Sequence, residues 1–237
     1  MTALVVIAKE CLPGRVKTRL HPALSFEQAA ELAAASLDDT LAVALALPAT
    51  RHILAFDGVT PPRTAAGFEI LPQVSGGLDE RLAAIFDSLD EPTVLIGMDT
   101  PQVSAELLTP VLTDWSVTTD AWLGFADDGG FWALALATPR AGLRRGDLIR
   151  GVPMSRDDTG ARQLDRLTEA GLRVRQLPVL TDVDTIADAH RVAATAPGGS
   201  FARTLAAMLP VDRVVDRVVD RVADRGADRV AGRPVRA

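Results

Sequence analysis

The chain of 237 residues has a formal charge of −6 and a pI near 5.1, which argues against a general nucleic-acid binder because such proteins set excess cation against phosphate. Its 48% apolar and 24% charged content suits a soluble domain able to bury a core, and a single cysteine, Cys11, excludes an internal disulfide and a cysteine-rich zinc site. The apolar run Ala3 to Ala8 is too short for a signal peptide and lacks its charged leader, and no apolar segment approaches a membrane span without charges or prolines; the expectation is a cytoplasmic protein.

Leu4 to Ala8 is a continuous apolar, β-branched run, the mark of a strand covered on both faces. The loop after it, Lys9 to Leu20, holds the turn signal Pro13-Gly14 and then Arg15, Lys17 and Arg19, a cationic loop with the chemistry of phosphate binding. It is not a Walker P-loop, because Cys11 and Val16 stand where that motif needs glycine. Ser25 followed by Gln28 is a capping box opening a helix to about Leu47. Strands are predicted at His52 to Phe56 and Glu69 to Pro72; Gly76-Gly77 then breaks the chain before a helix that sets Leu78, Leu82, Ile85 and Phe86 on one face.

Thr93 to Gly97 reads as a buried strand stopped by Met98-Asp99-Thr100-Pro101, with a helix from about Ser104 to Trp115 beyond it. An acid at the carboxyl end of such a strand either points at ligand or caps the next helix. Ala121 to Phe125 and Phe131 to Ala137 are strand-like runs joined by Asp127-Asp128-Gly129-Gly130, a hairpin turn in its simplest reading. A helix over Thr159 to Ala170, a strand over Leu172 to Leu177, and the acids Asp182 and Asp184 ahead of a helix from Thr185 to Thr195 complete the pattern. Strands alternating with helices predict an α/β fold: three layers, Rossmann-like, around a mostly parallel sheet. Residues 1–197 form this domain, 198–209 a terminal helix, and 210–237 a low-complexity tail whose Asp-Arg-Val-Val repeat has no stable seam and allows weak self-association as a homo-oligomer.

Of 25 Lys and Arg residues only Lys9 and Lys17 are lysines, and both sit in the loop after the first strand. In so arginine-rich a chain, this points to a need there for a compact ammonium rather than a planar guanidinium. Cations beside a sheet crevice suit nucleotide phosphates, and two acids from separate strand ends suit a divalent cation bridging them, because Mg²⁺ takes one or two carboxylates and keeps other positions for water and phosphate. The histidines His21, His52 and His190 are scattered and make no Ser-His-Asp arrangement.

Leu4-Val-Val-Ile-Ala-Lys9, Pro13-Gly-Arg-Val-Lys-Thr-Arg-Leu20, Gly97-Met-Asp-Thr-Pro101, Ala126-Asp-Asp-Gly-Gly-Phe131, Gly151-Val-Pro-Met-Ser155 and Asp182-Val-Asp-Thr185 together resemble, in order and spacing, the motifs of a bacterial glycosyltransferase-like family known as radical-SAM/selenodomain-associated transferases. That family falls in the GT-A superfamily with sugar-nucleotide and other nucleotidyltransferases, and the resemblance covers about residues 3 to 196. It implies a GT-A fold whose nucleotide-binding positions are Ala8, Lys9, Gly14, Arg15, Lys17, Arg19, Gly76 and Gly77. Lys17 and Asp99 would be catalytic; Mg²⁺ or Mn²⁺ would sit on Asp99 with Asp182 or Asp184; and Asp128, Gly129, Gly130 and Phe131 would line the acceptor side. Phe131 departs from the family's frequent Tyr. The expected activity is metal-dependent glycosyl transfer from a nucleotide-sugar to a small-molecule acceptor. Nucleotidyl transfer with pyrophosphate release is the alternative, and non-catalytic nucleotide binding is a third.

Overall fold

Side-chain alternation along the first strand divides the core into two layers. In β1 (Ala3–Lys9), Leu4, Val6 and Ala8 join an apolar cluster on one face of the sheet, while Ala3 and Val5 join a second cluster on the other. The computed structural model describes residues 2–139 and 142–209; the predicted repeat tail lies outside the described residues.

The remaining strands are β2 (Arg51–Asp57), β3 (Glu69–Pro72), β4 (Thr93–Gly97), β5 (Ala121–Ala126), β6 (Phe131–Leu136) and β7 (Val174–Leu180), and they assemble in the order β3-β2-β1-β4-β6-β5-β7. Every described pairing is parallel except those of β6, which runs antiparallel to β4 and β5. Helices α1 (Phe26–Ala46) and α3 (Ala105–Thr113) cover one face, and α2 (Leu78–Asp87) and α4 (Thr159–Glu169) cover the other. The predicted α/β architecture with a mostly parallel sheet is therefore the observed one. No helix among the described residues is long and apolar enough to cross a membrane.

Two further helices, α5 (Ile186–Thr195) and α6 (Ser200–Met208), complete the described chain, with α6 packed between α5 and α1. Asp39 of α1 accepts the backbone N–H groups of Ser200 and Phe201 at 2.7 and 2.8 Å, holding the otherwise unsatisfied donors of the α6 N-terminus. A third apolar cluster under these helices contains Leu20, Leu24 and Leu32 with Val183, Val192, Phe201 and Leu205. The predicted capping box of Ser25 with Gln28 forms with both reciprocal bonds, and a second one, Thr185 with Asp188, opens α5 in the same way. The last strand, predicted over Leu172 to Leu177, instead runs from Val174 to Leu180. Pro178 does not end it because β7 is an edge strand, where a missing ladder donor is tolerated.

The chain runs from β1 outward through β2 and β3, then returns to place β4 on the other side of β1. This reversal opens a crevice at the carboxyl ends of β1 and β4. Ile7 pairs with Gly97, so Lys9, the last residue of β1, and Asp99, two residues past the end of β4, reach the same edge of the sheet.

Candidate active site

Three loops converge on that edge. The first comes after β1 and makes a short 3-10 turn at Thr18–Leu20, preceded by Lys17 in the left-handed region (φ 48°, ψ 35°). A residue with a β-carbon is seldom held there, at a cost of about 1–2 kcal/mol, and the Lys17 side chain is turned inward. The second loop continues β4 through Met98 and Asp99, with the Met98 carbonyl fixed by the Ser36 hydroxyl of α1 at 2.7 Å. The third leaves β7: the Val183 N–H donates to the Asp99 carbonyl at 3.2 Å, and the Gln102 side-chain amide donates to the Thr181 carbonyl at 2.7 Å. Those two bonds bring Asp182 and Asp184 beside Asp99.

The Lys17 ammonium lies 3.0 Å from Asp99 Oδ1 and 3.7 Å from Asp184 Oδ1, and the Lys17 side chain is only 8% exposed. Arg19 Nη1 takes the other Asp184 oxygen at 2.8 Å. Lys9, Arg15, Lys17, Arg19, Asp99 and Asp184 border a cavity of about 170 Å³. It adjoins, through Lys9, Met98 and Asp99, a larger cleft of about 560 Å³ that is also bordered by Ala8, Asp128, Gly130, Phe131 and Asp182. Of the residues singled out from sequence, Ala8, Lys9, Arg15, Lys17, Arg19, Asp99, Asp128, Gly130, Phe131, Asp182 and Asp184 border one or other space.

Gly14, Gly76, Gly77 and Gly129 border neither. Gly77 is the N-cap of α2, and Gly14 and Gly76 serve turns at positive φ. Gly129, at φ 90°, packs against backbone: a β-carbon there would lie 1.9 Å from the Asp157 carbonyl oxygen. The missing side chain at this position therefore serves the contact with residues 157–160 rather than a ligand. Asp128 Oδ1 accepts the Gly130 N–H at 2.8 Å, closing the turn.

The cleft also presents Asp57, Gln73 and Arg81, which sequence reasoning did not single out, and Thr100 and Ser155, which it placed in motifs without a role. Asp57 ends β2 much as Asp99 stands just past β4, so the same strand-end argument reaches it. Gln73 Nε2 donates to the carbonyls of Ala8 and Ala55 at 2.8 and 2.9 Å, and its Oε1 accepts from Arg81, which also pairs with Asp57 at 3.1 Å. This arrangement depends on contacts across the sheet and carries no local signal. Thr100 is 1% exposed, and its hydroxyl has no partner among the described residues.

Asp182 is the acid whose environment is most altered. Burial, then the nearby charges of Asp99 and Asp128, push its carboxyl up to about 7, with Lys17 opposing the shift. A folded-state value above the unfolded one means that ionised Asp182 opposes folding. That penalty is absent below about pH 4, the usual carboxyl range, grows as pH rises to about 7, and is complete above it. Asp182→Asn is therefore expected to raise the melting temperature of the metal-free protein at pH 8 and to leave it nearly unchanged at pH 4, as measured by calorimetry.

A family model described as "Uncharacterized protein conserved in bacteria (DUF2064)" matches residues 31–156. Among solved structures, a protein of Desulfovibrio desulfuricans G20, described as a candidate nucleotide-diphospho-sugar transferase, is 27% identical with a TM-score of 0.72, over 91% of this chain and 96% of its own. A homologue of Mycobacterium tuberculosis Rv0371c from Mycobacterium sp. strain JC1 is 21% identical with a TM-score of 0.49, over 83% of this chain and 97% of its own. The 2-C-methyl-D-erythritol 4-phosphate cytidylyltransferase of Thermus thermophilus is 17% identical with a TM-score of 0.46, over 83% of this chain and 100% of its own. No curated protein matches the chain.

Proposed function

The chain belongs to that bacterial family, DUF2064, and from this premise we propose that it is a nucleotide-dependent transferase, specifically a metal-dependent glycosyltransferase-like enzyme acting on a nucleotide-diphosphate-sugar and a small-molecule acceptor. The observation that carries the reading is the meeting of three separate segments in the cavity that adjoins the cleft, where Asp99 and Asp184 both lie within 3.7 Å of the Lys17 ammonium. The likeness to the D. desulfuricans protein supports the choice of donor.

Lys9, Arg15, Lys17 and Arg19 bind the phosphates, with the Lys17 ammonium donating to the oxygen that departs with the diphosphate. Phe131, Trp132 and Met154 wall the cleft and limit water at the transferred group, and Asp128 and Phe131 face the acceptor. Asp99 with Asp182 suits Mg²⁺ or Mn²⁺: both carboxylates border the cleft, and Asp182 stands where excess negative charge is poorly solvated. Among the described residues no three His, Cys, Asp or Glu side chains gather into a metal-holding group, and the fit rests on these two carboxylates, a number that Mg²⁺ accepts while keeping its other positions for water and phosphate oxygens. When bound, such an ion supplies neutralisation of the charge that develops on the leaving diphosphate. Asp184, held by Lys17 and Arg19, acts on the loop cations rather than as a ligand.

One observation favours a second reading. The 170 Å³ cavity lined by Arg15, Lys17 and Arg19 has the charge to receive a pyrophosphate leaving group, as nucleotidyl transfer from a triphosphate to a phosphorylated acceptor requires. Two assays run side by side separate the readings: hydrolysis or transfer from a panel of nucleotide-sugars, and pyrophosphate release from the four triphosphates with candidate acceptor phosphates. Activity in the second assay alone would replace the first reading. Lys17→Ala is expected to weaken nucleoside diphosphate binding in the presence of Mg²⁺ by about ten- to a hundredfold by calorimetry, the loss of one charge-assisted hydrogen bond; unchanged affinity would remove the loop from the site.

A further inference from the structure

Lys17 is the less exposed partner in its ion pairs. Its side chain is 8% exposed against 42% for Asp99 and 38% for Asp184, and it reaches both carboxylates from a left-handed backbone position. Arg19 holds Asp184 from the solvent side, its own side chain 77% exposed. The ammonium therefore lies against the same Asp99 carboxylate that would ligate a divalent ion.

A divalent ion on the Asp99 carboxylate would stand within a few ångströms of the Lys17 ammonium, and the two cations would repel each other with little water to screen them. Nucleotide phosphates supply that anion. They can accept the Lys17 ammonium a few ångströms away, in the cavity already bordered by Arg15, and so release Asp99. An ion held by two carboxylates completes its shell with water or with phosphate oxygens, and the phosphates bring the charge that water lacks.

We propose that Lys17 is the resident counter-ion of the Asp99 position: its ammonium neutralises Asp99 and Asp184 in the nucleotide-free protein and passes to the phosphates when they arrive, so that divalent ion and nucleotide load together. This rests on the function proposed above. Coupling of this kind is reciprocal, so each ligand tightens the other by the same factor.

The test is a titration of the full chain with MnCl₂, bound and free ion being counted by electron paramagnetic resonance, first alone and then with UDP, GDP, CDP or ADP. With Mn²⁺ alone, Lys17→Gln is expected to bind about tenfold more tightly than the unmodified protein, in the ordinary range of coupling effects, while Lys17→Arg, which keeps the charge though not the compact shape, shows no such tightening. The tightening of Mn²⁺ by nucleotide should shrink in Lys17→Gln by the same factor. Equal or weaker Mn²⁺ binding by Lys17→Gln, with a melting curve showing that it is folded, overturns the proposal. An unfolded Lys17→Gln leaves the decision to the unmodified protein, where absence of any nucleotide effect on Mn²⁺ affinity, despite measured nucleotide binding, overturns it. Failure of every diphosphate to bind the unmodified protein sinks the proposed function instead, and the comparison with Mn²⁺ alone still decides the role of Lys17.

Discussion

Asp99→Ala is expected to lower metal-dependent turnover by about a thousandfold, the scale of losing a preorganised charge at a reacting centre. The side chain is 42% exposed, so its removal opens no core cavity. Asp184 remains beside the little-exposed Lys17 ammonium, so the protein should stay folded, with a modest loss of melting temperature from the missing ion pair. The substitution takes away the carboxylate nearest Lys17 and one of the two acids proposed to hold a divalent ion. Asp99→Asn, nearly the same in shape but uncharged, should be almost as inactive. Either variant retaining a tenth or more of the turnover would remove Asp99 from the reacting centre. A protein that binds nucleotide with no detectable turnover in any assay, before any substitution is made, would leave a purely binding role.

Gly129→Ala is expected to cost about 3 kcal/mol or more of stability, read from the urea midpoint. Two penalties combine there: a positive φ of 90° and a β-carbon placed 1.9 Å from the Asp157 carbonyl oxygen, a clash with backbone that no rotamer relieves. Gly14→Ala separates the two. Its φ is 74°, but no atom lies within 4 Å of the added carbon, so only the conformational cost of about 1–2 kcal/mol should appear. Equal losses in the two variants would show that the contact with residues 157–160 contributes little. Thr159 of that segment, and Ser155 just before it, border the cleft, so Gly129→Ala should also weaken nucleotide binding.

Strands and helices are legible in the sequence where local chemistry decides them. The apolar run of β1, the stop at Asp99 and Pro101, and the two capping boxes each have a cause within a few residues. So does the hairpin of β5 and β6, with Asp127 to Gly130 as its turn. The antiparallel direction of β6 is readable from that turn, but its insertion between β4 and β5 is not, because strand order is set by packing across the sheet. Most of the cations and acids stand just past the end of a strand, where a reading of the sequence finds them, and Asp57 occupies an equivalent place at the end of β2. Gln73 and Arg81 cannot be found in this way: their roles exist only once the ends of β1, β2 and α2 are adjacent. The glycine pair after Asp128 is expected from sequence to admit a ligand, whereas at Gly129 the close neighbour is the protein's own backbone. Family membership rests on the match over residues 31–156, while the radical-SAM/selenodomain link belongs to the resemblance alone.

Leu20, one residue beyond Arg19, and Val183, between the two late acids, are each 1% exposed and share the small apolar cluster beneath α5 and α6. The positive and the negative loop thus stand on one greasy footing that is separate from the sheet's two main layers. A ligand that pulls on either loop pulls on both, so the charged mouth of the cleft should tighten or slacken as a single jaw.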